Sequence, residues 1–303
     1  MNKFAPIFVI VAASLWAVDG IALRPILYSL PVPLVVFIES TIVAVLLTPV
    51  MAKNFGKLKA LNYGDWLAFA GVALLGGAIG TMAITKALFY VDYVNLTIVV
   101  LIQKLQPVFA LTLAGILLKE KLSGEFFLWA FIAIVGAYLM TFGFTIPSLD
   151  SGEKTTLAAL FSLLAAFSFG TSTVLSKRAL KNVGFEMGTY LRFVFSAVIM
   201  VVIVLAAGNI KNLSDVSSTQ FYIFILIAFT TGGTAIFLYY YGLKKITASV
   251  ATICELSFPL TAVLLEYFIR GNILNPVQWI GVLVLLFSII RVTQLNSKNN
   301  KTA

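Results

Sequence analysis

The sequence contains no histidine and only one cysteine, Cys254. Without histidine there can be no His-based metal site and no histidine acid or base, so any coupling proton (H+) would have to use carboxylates. A single cysteine permits no internal disulfide. The sequence also has no GxxxxGK[ST] motif, no metal-ligating cluster and no nucleophile–histidine pair, which are the patterns of ATP hydrolysis and of many enzymes. We therefore expect no enzyme activity, no cofactor and no metal.

Charged residues are scarce as well, at 11% of the chain, whereas 60% of the residues are hydrophobic. A soluble domain carries about 25% charged residues. A chain this apolar cannot cover itself with a polar surface in water, so we expect an integral membrane protein in a lipid bilayer. The net charge of +9 is distributed as a membrane protein distributes it, which argues against nucleic acid as a partner.

Ten apolar segments are long enough to cross a bilayer, which takes about 20 residues of helix. The predicted spans are residues 4–23, 34–52, 66–89, 94–118, 126–144, 155–176, 187–207, 221–242, 248–269 and 276–292. The first segment shows no small-residue cleavage pattern, so a removable signal peptide is not expected.

The basic residues between the spans predict the orientation. With the N-terminus in the cytoplasm, fourteen lysines and arginines lie on the cytoplasmic side and four on the other. Such an excess follows the positive-inside rule. We therefore expect a multi-pass protein of a bacterial plasma membrane with both termini in the cytoplasm.

The two halves of the chain resemble each other, and an odd number of spans in each half turns the second half upside down. The matched positions are Ser14 with Ser168, Gly76-Gly77 with Gly232-Gly233, and Pro107 with Pro259. We expect a first repeat at 1–144, a linker at 145–154, a second repeat at 155–295 and a polar tail at 296–303. The predicted fold is therefore an all-α membrane protein of ten helices in two inverted five-helix repeats, with a substrate site between them.

Polar residues and prolines lie in the middle of the fourth and ninth spans, where both are costly. They are Gln103, Lys104, Gln106 and Pro107 in the fourth span, and Glu255 and Pro259 in the ninth. The prolines predict helix kinks. Lys104 and Glu255 occupy nearly equivalent places, so they form either a structural ion pair or, with the two glutamines, a binding site for a zwitterion.

Four further charged residues lie within spans. Asp19, Glu39 and Lys86 are at similar depth near the predicted outer face, where they form either a vestibule or a solvated rim. Arg192 takes the place in the seventh span that Glu39 takes in the second. Its predicted position near the inner face makes it an inner gate or a side chain that snorkels to water.

Aromatic residues supply candidate walls for the site. Trp16 lies beside Ser14 near the middle of the first span, and Tyr239, Tyr240 and Tyr241 follow one another in the eighth. Consecutive residues fan around a helix, so at least one of these tyrosines points into the protein. We take Tyr240 and Tyr241 as candidate substrate contacts, with an interfacial aromatic belt as the alternative.

The stretch QKLQPVFALTLAGILLKEKL, residues 103–122, resembles the most characteristic segment of EamA-type permeases in the drug/metabolite transporter superfamily. The pattern is a proline midway along the helix and an exit formed by Leu117, Glu120 and Leu122. The resemblance covers about residues 4–292 as two tandem repeats. It departs from the pattern at Asn272, where the first repeat has Glu120, and about three extra residues precede Pro107. The resemblance implies an inverted-repeat carrier of small metabolites, often amino acids leaving the cell.

The function expected from these features is secondary transport of a small polar molecule, most simply an amino acid moving outward, by alternating access. An exporter of lipophilic cations is the alternative within the class, and a membrane-embedded lipid-modifying protein is the alternative outside it. A pseudo-symmetric centre with interrupted helices favours a moving carrier over a channel. The sequence leaves a monomer and a homodimer equally open.

Overall fold

The structure is a computed structural model that describes residues 4–90, 99, 102–103, 105–144, 146, 153–270 and 274–299. These residues form helices and no strand. The α-helices in chain order are α1 (Ala5–Val18), α2 (Val32–Met51), α3 (Tyr63–Val72), α4 (Gly80–Tyr90), α5 (Gln106–Leu117), α6 (Gly124–Phe142), α7 (Glu153–Ala179), α8 (Phe185–Ala206), α9 (Ser218–Phe229), α10 (Gly233–Lys245), α11 (Ala248–Cys254), α12 (Ser257–Arg270) and α13 (Pro276–Asn299).

The described helices account for nine spans that are long and apolar enough to cross a membrane, together with the shorter apolar helix α5. Several spans consist of more than one helix. A π-helix at Asp19–Leu23 extends α1, and another at Ala73–Ile79 joins α3 to α4. The eighth span is α9 followed by α10, and the ninth is α11 followed by α12. The all-α fold with a two-repeat layout is thus confirmed.

The two repeats pack with matching partners. The first span, α1, lies against α10 and α12, and its counterpart α7 lies against α3, α4 and α5. The second span contacts the seventh, the fourth contacts the ninth, and the fifth contacts the tenth. These pairings are what a pseudo-two-fold axis between inverted repeats requires.

Helix starts also match between the repeats. Asn62 begins α3 with a capping box that it forms with Asp65, and Ser217 begins α9 with a capping box that it forms with Gln220. In each box the cap side chain accepts from a backbone N–H while the later side chain accepts from the cap residue's own N–H. The third and eighth spans therefore begin with the same device.

Glycines allow the closest helix contacts. A Cβ on Gly136 would lie 2.8 Å from the backbone nitrogen of Leu285, and one on Gly281 would lie 2.7 Å from the carbonyl carbon of Leu139. A Cβ on Gly76 would lie 2.8 Å from Cβ of Ser172. Because apolar helices gain no hydrophobic drive from each other in lipid, such close backbone approach supplies the packing energy. The outer faces carry exposed apolar side chains, among them Phe131, Val202, Phe229 and Leu283.

At the two predicted kinks, the prolines interrupt the helix rather than bend it. Pro107 lies in the first turn of α5, and Pro259 lies in the first turn of α12. A proline ring clashes with the carbonyl four residues earlier and supplies no N–H, so the preceding helix ends before it. Four residues before Pro259 is Glu255, where α11 has just ended. The prolines thus leave polar residues at interruptions of the fourth and ninth spans.

Candidate functional site

Glu255 lies at the C-terminal end of α11, and both of its carboxylate oxygens accept hydrogen bonds. One oxygen accepts from the Tyr239 hydroxyl at 2.7 Å and from Thr173 Oγ1 at 3.1 Å. The other accepts from Nε2 of Gln106 at 2.7 Å. The first repeat contributes Gln106, and the second contributes the other three residues. We call Glu255, Gln106, Thr173 and Tyr239 the central cluster.

Close helix packing places Gln106 in this cluster. Gly170 of α7 faces the start of α5, and a Cβ there would lie 2.8 Å from the carbonyl oxygen of Gln106. A larger residue at that position would push α5 away from α7. The same helix α7 carries Thr173, so it contacts both the backbone of Gln106 and the carboxylate of Glu255.

Aromatic rings continue from the central cluster toward the first repeat and toward α8. The ring centroids of Trp16 and Tyr239 are 5.2 Å apart, and those of Tyr239 and Tyr240 are 5.8 Å apart. The hydroxyl of Tyr240 lies 3.0 Å from that of Ser176. Tyr239, which the sequence placed only in a group of three, is the tyrosine that reaches the carboxylate.

Arg192 lies on α8 beside Tyr240. Its Nη1 is 3.5 Å from the Tyr240 hydroxyl, and its guanidinium carbon is 5.9 Å from the centre of that ring. A Cβ on Gly76 would lie 3.6 Å from the other terminal nitrogen of Arg192. Gly76 belongs to the π-helical part of the third span, so the guanidinium packs where that helix is widened and has no side chain.

A second ionic cluster lies where α1 ends. Arg24 binds Asp19 at 2.6 Å and Glu39 at 3.1 Å, and Thr231 donates to Asp19 at 3.3 Å. Asp19 and Glu39 were predicted to lie close together, with Lys86 as the nearby base. The structure instead places Arg24 between the two acids. Lys86 is exposed, with its ammonium 5.9 Å from the ring centre of Tyr90.

The remaining predicted site residues fall outside the central cluster. Ser14 accepts from Thr261 at 2.9 Å, which joins the first span to the ninth. Gln103 donates to the backbone oxygen of Ser162 at 3.0 Å. The ring of Tyr241 packs 4.6 Å from that of Phe8 and has the Lys245 ammonium 3.3 Å above its centre.

Lys104 lies outside the described residues, and so does its predicted pairing with Glu255. In the described part of the chain, the partners of Glu255 are the neutral side chains of Gln106, Thr173 and Tyr239.

Glu120, which the sequence singled out only as part of the exit pattern, binds the second repeat. Its carboxylate accepts from the backbone nitrogens of Ala248 at 2.8 Å and Ser249 at 3.1 Å, and from the Ser249 hydroxyl at 2.5 Å. The first N–H groups of a helix have no partner within the helix and carry partial positive charge. Glu120 therefore caps α11 from the end of α5. The signal for it was the acid directly after the fourth span.

A groove of about 520 Å³ lies elsewhere, between α2 and the start of α9. Its walls include Phe37, Thr41, Phe221 and Tyr222, and it shares no residue with the central cluster. We therefore do not include it in the candidate site.

In chemical terms, the central cluster combines a carboxylate, a carboxamide, two hydroxyls and aromatic rings near the middle of a membrane protein. Such a set suits a ligand with flat apolar faces and a hydrogen-bonding edge.

Comparison with known proteins places the chain among transporters. The EamA-like transporter family matches residues 3–142 and again residues 156–294. A riboflavin transporter, ImpX, of Fusobacterium nucleatum is 46% identical over 291 residues, which are 96% of this chain and 97% of that protein. An uncharacterised transporter of Synechocystis is 28% identical over 77% of this chain and 67% of its own length.

A solved crystal structure shares the fold. It superimposes with a TM-score of 0.76 over 98% of this chain and 99% of its own, at 14% sequence identity. At that identity the likeness speaks for the fold alone.

Proposed function

We propose that this chain, which belongs to the EamA-like transporter family, carries riboflavin or a close flavin relative across the membrane. The observation that carries the proposal is the 46% identity to the riboflavin transporter of Fusobacterium nucleatum, which extends over 96% of the chain. The coarser conclusion, a multi-pass membrane transporter with two EamA repeats, follows from the family match itself.

The chemistry of the central cluster supports a flavin cargo. The isoalloxazine ring has two flat apolar faces and one polar pyrimidine edge. Trp16 and Tyr239 supply aromatic surface, and Glu255 and Gln106 supply an acceptor and a donor beside it. Aromatic stacking with a few convergent polar groups is how proteins bind flat heterocycles.

The comparisons do not favour the amino acid hypothesis. That hypothesis pairs a base, Lys104, with Glu255 to bind the two charges of a zwitterion, and the pairing stays a prediction. The relative that covers nearly the whole chain is a riboflavin transporter, so amino acid export is not what the comparisons favour. Proton coupling and cytoplasmic termini remain predictions of the proposal.

The cluster also suggests how binding is coupled to movement. The hydrogen bond between Gln106 and Glu255 joins the first repeat to the second. A cargo that takes over the donor of one and the acceptor of the other replaces this contact between the repeats. Carriers of this type work by rocking one repeat against the other around the occupied site.

Binding and uptake by the purified protein test the proposal. We expect the protein in nanodiscs to quench riboflavin fluorescence saturably and to mediate saturable riboflavin uptake in proteoliposomes. The Glu255→Gln variant should weaken binding by about tenfold, because a charge-assisted hydrogen bond contributes about 1.5–3 kcal/mol. Glu125→Gln is the matched control, since Glu125 pairs with Arg291 at an exposed position.

Unlabelled amino acids and a lipophilic cation, tetraphenylphosphonium, serve as competitors. A flavin carrier ignores both. Competition by an amino acid would restore the zwitterion hypothesis, and competition by the cation alone would favour a cation exporter. Absence of saturable riboflavin binding would refute the proposed cargo.

A further inference from the structure

Apart from Lys86, which is exposed and lies over the ring of Tyr90, the in-span charges that the structure describes fall into two groups. Asp19 and Glu39 share Arg24, so this cluster is paired by direct contact. Glu255 and Arg192 have neutral partners instead. In the described part of the chain, neither forms an ion pair, for which a side chain of opposite charge would have to lie within 4 Å. These two residues are therefore the in-span charges with hydrogen-bonding capacity left for a ligand.

Arg192 is the less satisfied of the two. A guanidinium has five N–H donors and cannot be deprotonated in a protein. Among the described residues it makes one long hydrogen bond, 3.5 Å from Nη1 to the Tyr240 hydroxyl, and its guanidinium carbon lies 5.9 Å from the centre of the same ring. The side chain is partly exposed. A charged group within a bilayer is costly, and such residues face a cavity or a partner.

The position of Arg192 relates it to the central cluster. Tyr240 adjoins it, and Tyr239, which donates to Glu255, is the next residue and the neighbouring ring. The two neighbouring tyrosine rings thus connect the guanidinium to the carboxylate.

We infer, on the basis of the proposed flavin transport, that Arg192 determines cargo specificity by donating to a carbonyl on the pyrimidine edge of the ring. That edge presents an acceptor, a donor and an acceptor, which are the C2 carbonyl, the N3–H and the C4 carbonyl. Arg192, Glu255 and Gln106 present a donor, an acceptor and a donor. The two sets are complementary.

A purely structural Arg192 would behave differently. If it only balanced the field of Glu39 and Glu255, its loss would weaken every flavin by the same factor. A residue that contacts one carbonyl affects ligands according to the atom at that position. The two roles are therefore separated by changing the ligand and the protein together, which isolates the pairwise contribution.

The experiment is a set of binding titrations by calorimetry on the protein in nanodiscs. The ligands are riboflavin, 2-thioriboflavin and 4-thioriboflavin, because sulfur in place of a carbonyl oxygen is a poor acceptor. A third analogue, 5-deazariboflavin, is changed away from the pyrimidine edge. The proteins are wild type, Arg192→Gln, Arg192→Lys and, as a matched control, Arg291→Gln, whose guanidinium pairs with Glu125 at an exposed position.

We expect wild type to bind riboflavin about tenfold more tightly than either thio analogue. In Arg192→Gln, riboflavin and one of the two thio analogues should bind about equally tightly. The tenfold preference for riboflavin over the other thio analogue should be kept. Arg192→Lys should fall in between, and Arg291→Gln should match wild type. The riboflavin to 5-deazariboflavin ratio should be the same in all four proteins, and a kept ratio shows that the variant is folded.

Equal thio preferences in wild type and Arg192→Gln would overturn the inference while leaving riboflavin transport intact. Wild-type protein that binds none of the four flavins would overturn the proposed function, and the inference with it. Because each conclusion rests on a ratio within one protein, a general loss of stability in a variant does not mimic either result.

Discussion

Glu120 provides the sharpest test of how the two repeats hold together. It leaves the end of α5 in the first repeat and accepts two backbone N–H groups and one hydroxyl at the start of α11 in the second. Replacing it with alanine removes all three contacts. The first backbone N–H groups of α11 would then lose the acceptor that the first repeat supplies.

The cost can be worked out from the groups left behind. Thr247 remains as the ordinary cap, because its hydroxyl accepts from the Val250 backbone at 3.2 Å. Two backbone donors, those of Ala248 and Ser249, lose a charged acceptor. Loss of an N-cap contributes about 0.5–2 kcal/mol, and hydrogen bonds to charged groups about 1.5–3 kcal/mol, so we expect about 2 kcal/mol in the free energy of opening α11.

The single cysteine supplies the assay. Cys254 ends α11 and is completely buried, as is every other residue of that helix. Alkylation of its thiol by N-ethylmaleimide therefore requires α11 to open. If opening is fast compared with alkylation, a change of about 2 kcal/mol makes the labelling rate of Glu120→Ala about thirtyfold faster than that of wild type. Mass spectrometry at several times gives the rate.

Two variants bound the result. Glu120→Gln keeps one oxygen as an acceptor and should label at an intermediate rate. Glu125→Ala loses an exposed ion pair of 3.3 Å, which is worth about 0–1 kcal/mol, and should label at close to the wild-type rate. If Glu120→Ala labels no faster than Glu125→Ala, the contact does not hold α11 closed and the reasoning fails.

Two other changes should affect stability by separate routes. Gly281→Ala places a methyl against the Met140 backbone, where no side chain can move aside, and should lower the midpoint of thermal unfolding by several degrees; Gly115→Ala, with nothing within 4 Å, should raise it slightly. Equal midpoints for the two glycine variants would contradict the close packing of α6 on α13. Arg24→Gln should destabilise by about 3–5 kcal/mol in chemical unfolding because it leaves two acids unpaired, and adding Glu39→Gln should recover part of that loss.

Hydropathy and the internal repeat predicted the fold because both can be read from the order of residues along the chain. The apolar segments located the spans, and the matched prolines located the interruptions in the fourth and ninth. The sequence also placed Gln106 and Glu255 in the middle of their spans, although the partner that it assigned to Glu255 was Lys104, and the structure joins Gln106 to Glu255. What these patterns do not contain is the rotation of each helix about its axis, which packing decides. Tyr239 rather than Tyr241 reaches Glu255 for that reason.

The ionic cluster shows a second limit. On an α-helix, residues five apart point about 140° away from each other, and the predicted first span, residues 4–23, ends before Arg24. The structure has a π-helix at Asp19–Leu23, and the Arg24 backbone N–H donates to the Asp19 carbonyl five residues earlier. A π-helix brings residues five apart to the same side. The single extra residue in the turn therefore brings Arg24 to the side of the helix that carries Asp19.

The pair formed by α5 and α11 connects cargo to gating in the proposed cycle. The two helices run antiparallel and are joined at both ends, by Gln106 to Glu255 at one and by Glu120 to the start of α11 at the other. A flavin that replaces the first contact leaves the second as the described side-chain tie between these helices. Because α5 is one helix from Gln106 to Leu117, a displacement of its cargo end also moves the end that precedes Glu120. In the proposed cycle, cargo binding at one end of this helix pair is therefore coupled to release of α11 at the other. The hydrogen bonds of Glu120 then contribute to the free energy that the release needs.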